Sequence, residues 1–426
     1  MFHAKFITVL LLCAMLTSNA QETYLHCGAL FDVGSGKILT SKTIVVSGNT
    51  ITAIKDGFVS GDDSSTIVDL KDAYVLPGLI DMHVHIEGEF GPRTYMKRFS
   101  DNEADTAFES AVFAKRTLMA GFTTVRDLGG SGVNIALRKA IDRGLTEGPR
   151  IFTAGKAIGT TGGHADPTNG VNKALMKDPG PKEGVVNSID DAKKAVRQRY
   201  KNGADVIKIT ATGGVLSVAK SGENPQFTVE EVKAIVDTAD DYGFKVAAHA
   251  HGDEGMYRAV VGGVQTIEHG TMMSSRTMTA MKENNCFLIP TISAGKQVAE
   301  KAKIPGFFPA VVAQKALAIG PLHQATIRKA YEQGVPMGFG TDAGVFPHGT
   351  NAMEFAYLLE AGIPVKESLK QATVVNAMLL GMESKLGQLK EGFFADVIAV
   401  GENPMDNVKA LEEVVFVMKN GVVHKQ

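Results

Sequence analysis

The sequence predicts an α/β protein: a (β/α)8 TIM barrel with a small β-sandwich domain formed from its N- and C-terminal segments. Three observations predict it. Between residues 77 and 389, short apolar runs alternate with helical stretches through eight strands; such alternation makes a parallel sheet, and eight repeats close it into a barrel. Residues 21–76 and 390–426 read instead as short antiparallel strands, neither segment long enough to bury a core alone. No glycine-rich fingerprint follows the first strand of the central region, which argues against the alternative of an open doubly wound sheet.

The opening twenty residues stand apart. Lys5 supplies a weakly cationic start, "FITVLLLCAML" is an apolar stretch, and "TSNA" puts Ser18 and Ala20 where a cleavage site wants small residues. The apolar run is shorter than the roughly 20 residues that span a bilayer. A signal peptide over residues 1–20 is therefore expected, with a secreted or periplasmic product and no membrane association after its removal; an N-terminal helix of the mature fold is the competing reading. Leu12 is too bulky for lipoprotein processing at Cys13, and Cys27 and Cys286 are too few and too distant for a disulfide scaffold. Both are expected as packed thiols. A formal net charge of -2 lacks the basic excess of a nucleic-acid-binding protein.

Residues 24–75 hold "YLHCGALFD", "KTIVVSGNTITAI" and "TIVDLKDAYVLP", divided by turn signals such as Ser47-Gly48-Asn49. The tail repeats the style, with Asn420-Gly421 as a two-residue hairpin signal. The eight central strands are read at "LIDMHVH", "GFTTVRD", "PRIFTAG", "ADVIKIT", "KVAAHA", "QTIEHG", "CFLIPT" and "PMGFGTDA". Among the helices between them, Thr228 and Glu231 have capping-box spacing ahead of an apolar run.

Catalytic groups of a barrel sit at the C-terminal ends of its strands. There the sequence puts His83 and His85, Lys208, His249 and His251, His269, and Asp342. Taken singly, each has an ordinary explanation: a hydrogen-bonded histidine, an edge lysine, an aspartate cap. Together they do not. Residues two apart on a strand point the same way, so His83 and His85 can hold one ion, and imidazole with carboxylate suits zinc. Asp81 shares their parity one step deeper and reads as a buried hydrogen-bond acceptor. A barrel has no edge, so Lys208 inside its strand either points inward or snorkels between helices, and an inward amine beside a metal must be neutral or converted to an anion.

The chain resembles the amidohydrolase superfamily. The matching words are "PGLIDMHVH", "AGFTTVRDLGG", "GADVIKI", "VAAHAHG", "IEHG", "FGTDAG" and "GQLKEGFFADVIAV", in the family's order over nearly the whole chain after residue 20. The resemblance implies two divalent metal ions, zinc first among them, with a CO2-derived carbamate on Lys208 bridging both. It assigns His83, His85 and Asp342 to one metal, and His249 and His269 to the other. His249 is preferred to His251 because its spacing to "IEHG" is like the family's.

Within the superfamily, "TGGHAD", "ATGGVLS", "QFTVEEVKAIVDTA" and "FGTDAGVFPHGTNAMEFAYL" look most like a peptidase-like branch. That branch includes prolidase-like enzymes, carboxypeptidases releasing arginine or lysine, and ochratoxin hydrolases. The implied activity is hydrolysis of the amide bond to a C-terminal amino acid, basic or hydrophobic, in dipeptides or N-acyl amino acids. A metal-bridging hydroxide is the nucleophile, formed because two metals lower the pKa of water to about 7. Asp342 is the proton carrier and His164 the oxyanion donor. His251, His348 and the backbone of Gly213 and Gly214 are expected at the substrate, and Glu223 and Asp166 are the acids available to a basic side chain. A homo-oligomer is expected.

The alternatives are an Xaa-Pro dipeptidase and a cyclic amide hydrolase of the imidazolonepropionase type. Mononuclear deaminases typically lack the lysine at Lys208's position, and neither a scaffold without metal ligands nor a carbohydrate-binding module needs these histidines.

Overall fold

The structure, a computed structural model, describes residues 21–426, and the expected leader over residues 1–20 lies outside the described residues. In chain order the first strands are β1 (Glu22–Asp32), β2 (Lys37–Ser47), β3 (Thr50–Asp56), β4 (Thr66–Pro77), β5 (Leu79–Val84), β6 (Phe122–Asp127) and β7 (Arg150–Thr153). They are followed by β8 (Ile207–Thr210), β9 (Val246–Ala250), β10 (Thr266–His269), β11 (Phe287–Ile289), β12 (Val397–Val400), β13 (Val414–Lys419) and β14 (Val422–Lys425).

The two terminal segments, each too short for a core, complete one another. They form a seven-stranded mixed sheet in the order β14-β13-β12-β4-β1-β2-β3, where β4 pairs parallel with β1 and antiparallel with β12. The strands run in one continuous sheet. Its alternate apolar residues, among them Leu25, Ile44, Ile51, Val75, Val397 and Phe416, pack into a core of their own. Asn420 and Gly421 both have positive φ, as the two-residue turn between β13 and β14 requires. A Cβ on Gly421 would lie 2.0 Å from the carbonyl oxygen of Gly48, so the two turns marked in the sequence abut. Cys27 and Cys286 are buried and free, as expected.

The central strands form two parallel sheets, β5-β6-β7 and β11-β10-β9-β8. Single parallel bridges join their edges: Ile158 with Ile209, Leu288 with Met337, and Ala343 with Val84. The chain is thus α/β with one mixed and two parallel sheets. All six residues of β5 and of β6 are buried, so the polar residues of β6, Thr123, Thr124, Arg126 and Asp127, are enclosed along with its apolar ones.

Two details differ from the sequence reading. The segment "PMGFGTDA" makes only bridges, at Met337 and Ala343, and no continuous strand. The Asn376 side chain bonds both the N–H and the carbonyl of Phe339, and that carbonyl also accepts the Met82 N–H of β5 at 3.0 Å. The second is a helical excursion after β11, Ile292–Ala302 followed by Ala310–Glu332. Its longer helix continues through Gly320-Pro321, a dipeptide that usually marks a turn. The capping box is present as expected: Glu231 N–H donates to Thr228 Oγ1 at 3.2 Å and Thr228 N–H to Glu231 Oε2 at 2.9 Å.

Candidate active site

The alternation of β5 turns His83 toward the ends of the parallel strands, and His85 follows just beyond β5. Ligand atoms of His83, His269 and Asp342 lie within 4.8 Å of one another, close enough to share one ion. His83 Nε2 is 3.5 Å and His85 Nε2 3.3 Å from Asp342 Oδ1. His249 and His269 have ring centroids 4.7 Å apart, and Lys208 and His251 line the same cleft. The structure therefore gathers all six expected ligands around one cleft, with the His269 ring centroid 4.7 Å from that of His249 and 5.0 Å from that of His83.

Each imidazole is held by one nitrogen. His83 Nδ1 meets Glu268 Oε2 at 2.8 Å, His85 Nδ1 the Gly129 carbonyl at 2.9 Å, and His269 Nδ1 the Thr291 hydroxyl at 2.7 Å. His249 Nε2 bonds the Gly213 carbonyl at 3.1 Å, which leaves its Nδ1 to the site. Asp81 is buried and accepts the N–H of His83 and of Thr341, the Thr341 hydroxyl and the Asn351 amide, the supporting role its parity suggested. His269, Thr291 and Asp342 all have positive φ, a conformation rare for such residues that clusters where function fixes the backbone.

Burial is the largest influence on every imidazole here. It pushes His85 down to about 4 and His164 to about 3, and holds His83, His249, His251 and His269 well below the ordinary histidine range. All are neutral, the form that binds metal. Burial also lowers Lys208, and Glu268 and Asp342 only partly oppose it. Lys208 is 4% exposed with no carboxylate within 4 Å among the described residues. An ammonium so placed is costly.

A divalent metal fits these residues on two counts. His83 Nε2 and Asp342 Oδ1 are buried without hydrogen-bond partners, although buried polar atoms are normally satisfied. The donor set of neutral imidazoles with carboxylate is one that zinc and similar ions prefer.

Sequence reasoning missed several partners. Glu268, next to His269, also takes Arg126 Nη2 at 2.8 Å, an ion pair wholly buried between β6 and β10. Arg126 further donates to the Met82 carbonyl and the Thr266 hydroxyl. His323 Nε2 bonds the His269 carbonyl at 2.9 Å. For Arg126 and Glu268 the sequence signal is a charged residue inside a strand, the kind of signal that marked Lys208, and His323, on a helix, carried none.

The expected substrate contacts divide. His164 lines the cleft, stacks on His249 at 4.4 Å, and keeps a buried, unpartnered Nδ1. Gly214 is glycine because a Cβ there would come within 2.2 Å of the His164 ring. His251 also faces the cleft, with Nδ1 on the Thr271 hydroxyl. Four expectations need correction. Gly213 N–H is already given to the Asn224 carbonyl at 3.0 Å and cannot meet a carboxylate. Gly214 serves as a seat for His164 and lies behind the lining. His348 lies outside the lining too, stacked on Phe113 and bonded to the Gly88 carbonyl at 2.8 Å, where it braces the loop after β5. Glu223 is exposed and the Asp166 carboxylate is taken by Gly162 and Thr168, so neither awaits a basic side chain.

The cleft has a volume of about 830 Å³ and an apolar distal wall of Phe90, Val215, Leu216, Val298, Ala316 and Ile319. Strand-end histidines facing a carboxylate at the floor of this cleft form a site that could hold a metal ion. The chain belongs to the amidohydrolase family, whose model matches residues 74–425, and it acts as a hydrolase of amide bonds. It is 30% identical to ochratoxinase of Aspergillus niger over 96% of this chain and 88% of that one. Among solved structures it is similar to a Xaa-Pro dipeptidase with methionine bound in its active site, at 51% identity and TM-score 0.93 over 95% of this chain and all of the other. A prolidase complexed with N-methylphosphonate-L-proline matches at 30% identity and TM-score 0.87, over 95% and 100%. Among the described residues no helix is long and apolar enough to cross a membrane.

Proposed function

We propose that the protein is a metal-dependent dipeptidase or N-acyl amino acid hydrolase that releases an apolar C-terminal residue. The observation that carries this reading is the pair of buried, unpartnered atoms His83 Nε2 and Asp342 Oδ1, 3.5 Å apart at the floor of a largely apolar cleft. The supporting scaffold is one closed (β/α)8 barrel, with the three bridges as its seams, capped by the composite terminal domain.

His83, His85, His249, His269 and Asp342 would hold two divalent ions, with Lys208 between them as a carbamate. Carbamate formation joins the neutral amine to CO2, releases a proton, and turns a costly buried cation into an anion. Bound there, the two ions supply a water ionised near neutral pH and polarise the scissile carbonyl. Asp342 accepts the proton of the attacking water and hands it to the departing amine nitrogen. His164, as its Nδ1–H tautomer, donates to the carbonyl oxygen as negative charge develops. The apolar wall excludes water and receives the leaving side chain.

Preference for an apolar over a basic leaving residue rests on the carboxylates that line the cleft. Glu87 accepts the N–H of Ser131, Gly132 and Asn134, Glu89 that of His348, Glu183 that of Gly180, Asp101 the Ser100 hydroxyl, and Glu109 pairs with Lys97. Each already has its donor. The bound methionine in the dipeptidase at 51% identity points the same way. That protein's being a Xaa-Pro dipeptidase favours a second reading in which the apolar residue is proline. The leader-like residues 1–20 support action in the periplasm or outside the cell.

The test is a dipeptide series varied in its last residue, scored by the amino acid released, with and without a chelator. Release of methionine, leucine or phenylalanine, abolished by chelation and restored by zinc, is expected. Release of proline alone selects the second reading; arginine or lysine alone, or chelator-insensitive hydrolysis, overturns the proposal.

A further inference from the structure

The loop Gly214–Ala219 has no regular secondary structure, yet it supplies Val215 and Leu216 to the apolar wall. Such a loop needs an anchor to present a defined surface. The anchor comes from the helical excursion after β11. Lys315, on the helix Ala310–Glu332, is 7% exposed, and its ammonium donates to three backbone carbonyls: Gly214 at 2.7 Å, Ser217 at 2.7 Å and Ala219 at 2.8 Å. All three N–H donors of the ammonium are used, and no carboxylate lies within 4 Å among the described residues. The charge is spent on holding the loop.

Two independent observations show how closely helix and loop are docked. A Cβ on Gly222 would lie 2.7 Å from Ile319 Cδ1 and 3.5 Å from Lys315 Cδ, so the chain must be glycine where the helix passes. Val298, Phe308, Val312 and Ala316 form a satellite core that Val215, Leu216 and Val218 join from the loop, together with Phe90 and Tyr95. On the loop's other side the Tyr95 hydroxyl donates to the Leu216 carbonyl at 2.9 Å. The bond to Gly214 reaches further still, because Gly214 seats the His164 ring.

We propose that Lys315 is a specificity-determining positioning residue: by clamping the carbonyls of residues 214–219 it shapes the apolar wall that selects the leaving side chain. This rests on the functional reading above. Its ammonium faces backbone carbonyls and touches none of the reacting groups, so it acts through Val215, Leu216 and His164. Without the clamp the wall loses its fixed surface, and discrimination between a large and a small apolar residue falls first.

The experiment compares wild type with Lys315→Met, which keeps the stem and removes the donors. Selectivity is read as kcat/KM for a dipeptide ending in methionine over one ending in glycine. It is expected to fall about tenfold, mostly through KM, as for loss of a well-fitted hydrophobic contact, with metal content unchanged. Tryptic cleavage after the exposed Lys220 gives a readout independent of activity, and is expected to accelerate at least tenfold, on the order of local unfolding made easier by about 1.4 kcal/mol. Tyr95→Phe, which releases the same loop more gently, is expected to shift both readouts in the same direction by a few fold, and stands in if Lys315→Met fails to fold. Unchanged selectivity in a folded, metal-loaded variant overturns the proposal, whether or not Lys220 becomes accessible. If wild type cleaves no dipeptide, the functional reading fails, and protection of Lys220 still decides whether Lys315 clamps the loop.

Discussion

Substituting Glu268 by glutamine tests the site's internal wiring. Glu268 is fully buried; one carboxylate oxygen takes Arg126 at 2.8 Å and the other takes His83 Nδ1 at 2.8 Å. Glutamine keeps the shape and removes the charge. Arg126, 1% exposed, then lacks its counter-ion, and breaking such a buried pair costs about 3–5 kcal/mol. His83 loses a charged acceptor that fixes its tautomer and ring plane; losses of that kind lower metal affinity about 10–100-fold. The two effects are separable. Glu268→Gln is expected to lower both unfolding free energy and metal affinity, measured by urea denaturation and by competition with a chelator. Adding Arg126→Met should recover most of the stability, since an apolar neighbour tolerates an amide better than an unpaired guanidinium does, and should leave affinity low. A Glu268→Gln protein with wild-type metal affinity, or a double variant no more stable than the single one, would refute the reasoning.

Three further outcomes follow from the same geometry. Lys208→Ala is expected to lose most bound metal by elemental analysis, and retention of two ions per chain would sink its assignment as the bridge. Gly214→Ala drives a Cβ to within 2.2 Å of the His164 ring, and displacing that donor should lower kcat about 10²–10³-fold with metal content unchanged. Glu354 is fully buried and accepts the N–H of Ile292 and Ser293, and burial raises its pKa from 4.5 to about 7. Because the folded form holds this proton more tightly, the stabilisation is present below pH 4.5 and lost as pH rises through 7, about 3 kcal/mol in all. Glu354→Gln should remove that share of the pH dependence; identical pH–stability slopes in the two proteins would contradict it.

The divide between what was legible and what was not follows a physical line. His83 and His85 were readable because a two-residue period fixes side-chain direction within a strand, whatever the rest of the chain does. Lys208 was readable because an amine in an apolar strand contradicts its surroundings. The same argument applied to Arg126 and Glu268 would have flagged them, but not paired them across 142 positions. His348 looked like a substrate contact because it follows Asp342 closely, and the structure turns it instead toward Phe113 and the Gly88 carbonyl. Gly213 looked like an anion site, and its N–H belongs to Asn224.

By itself, then, the sequence determined the residue types of the site, the alternation that builds parallel sheets, and the family, because these live in local period and composition. Only the tertiary structure decided which nitrogen of each histidine is free, which acids are already occupied, and that Lys315 reaches over 101 positions to the Gly214 carbonyl. Those choices depend on which strands and helices end as neighbours. Neighbourhood is set by the packing of the whole chain, and no short stretch of it carries that information.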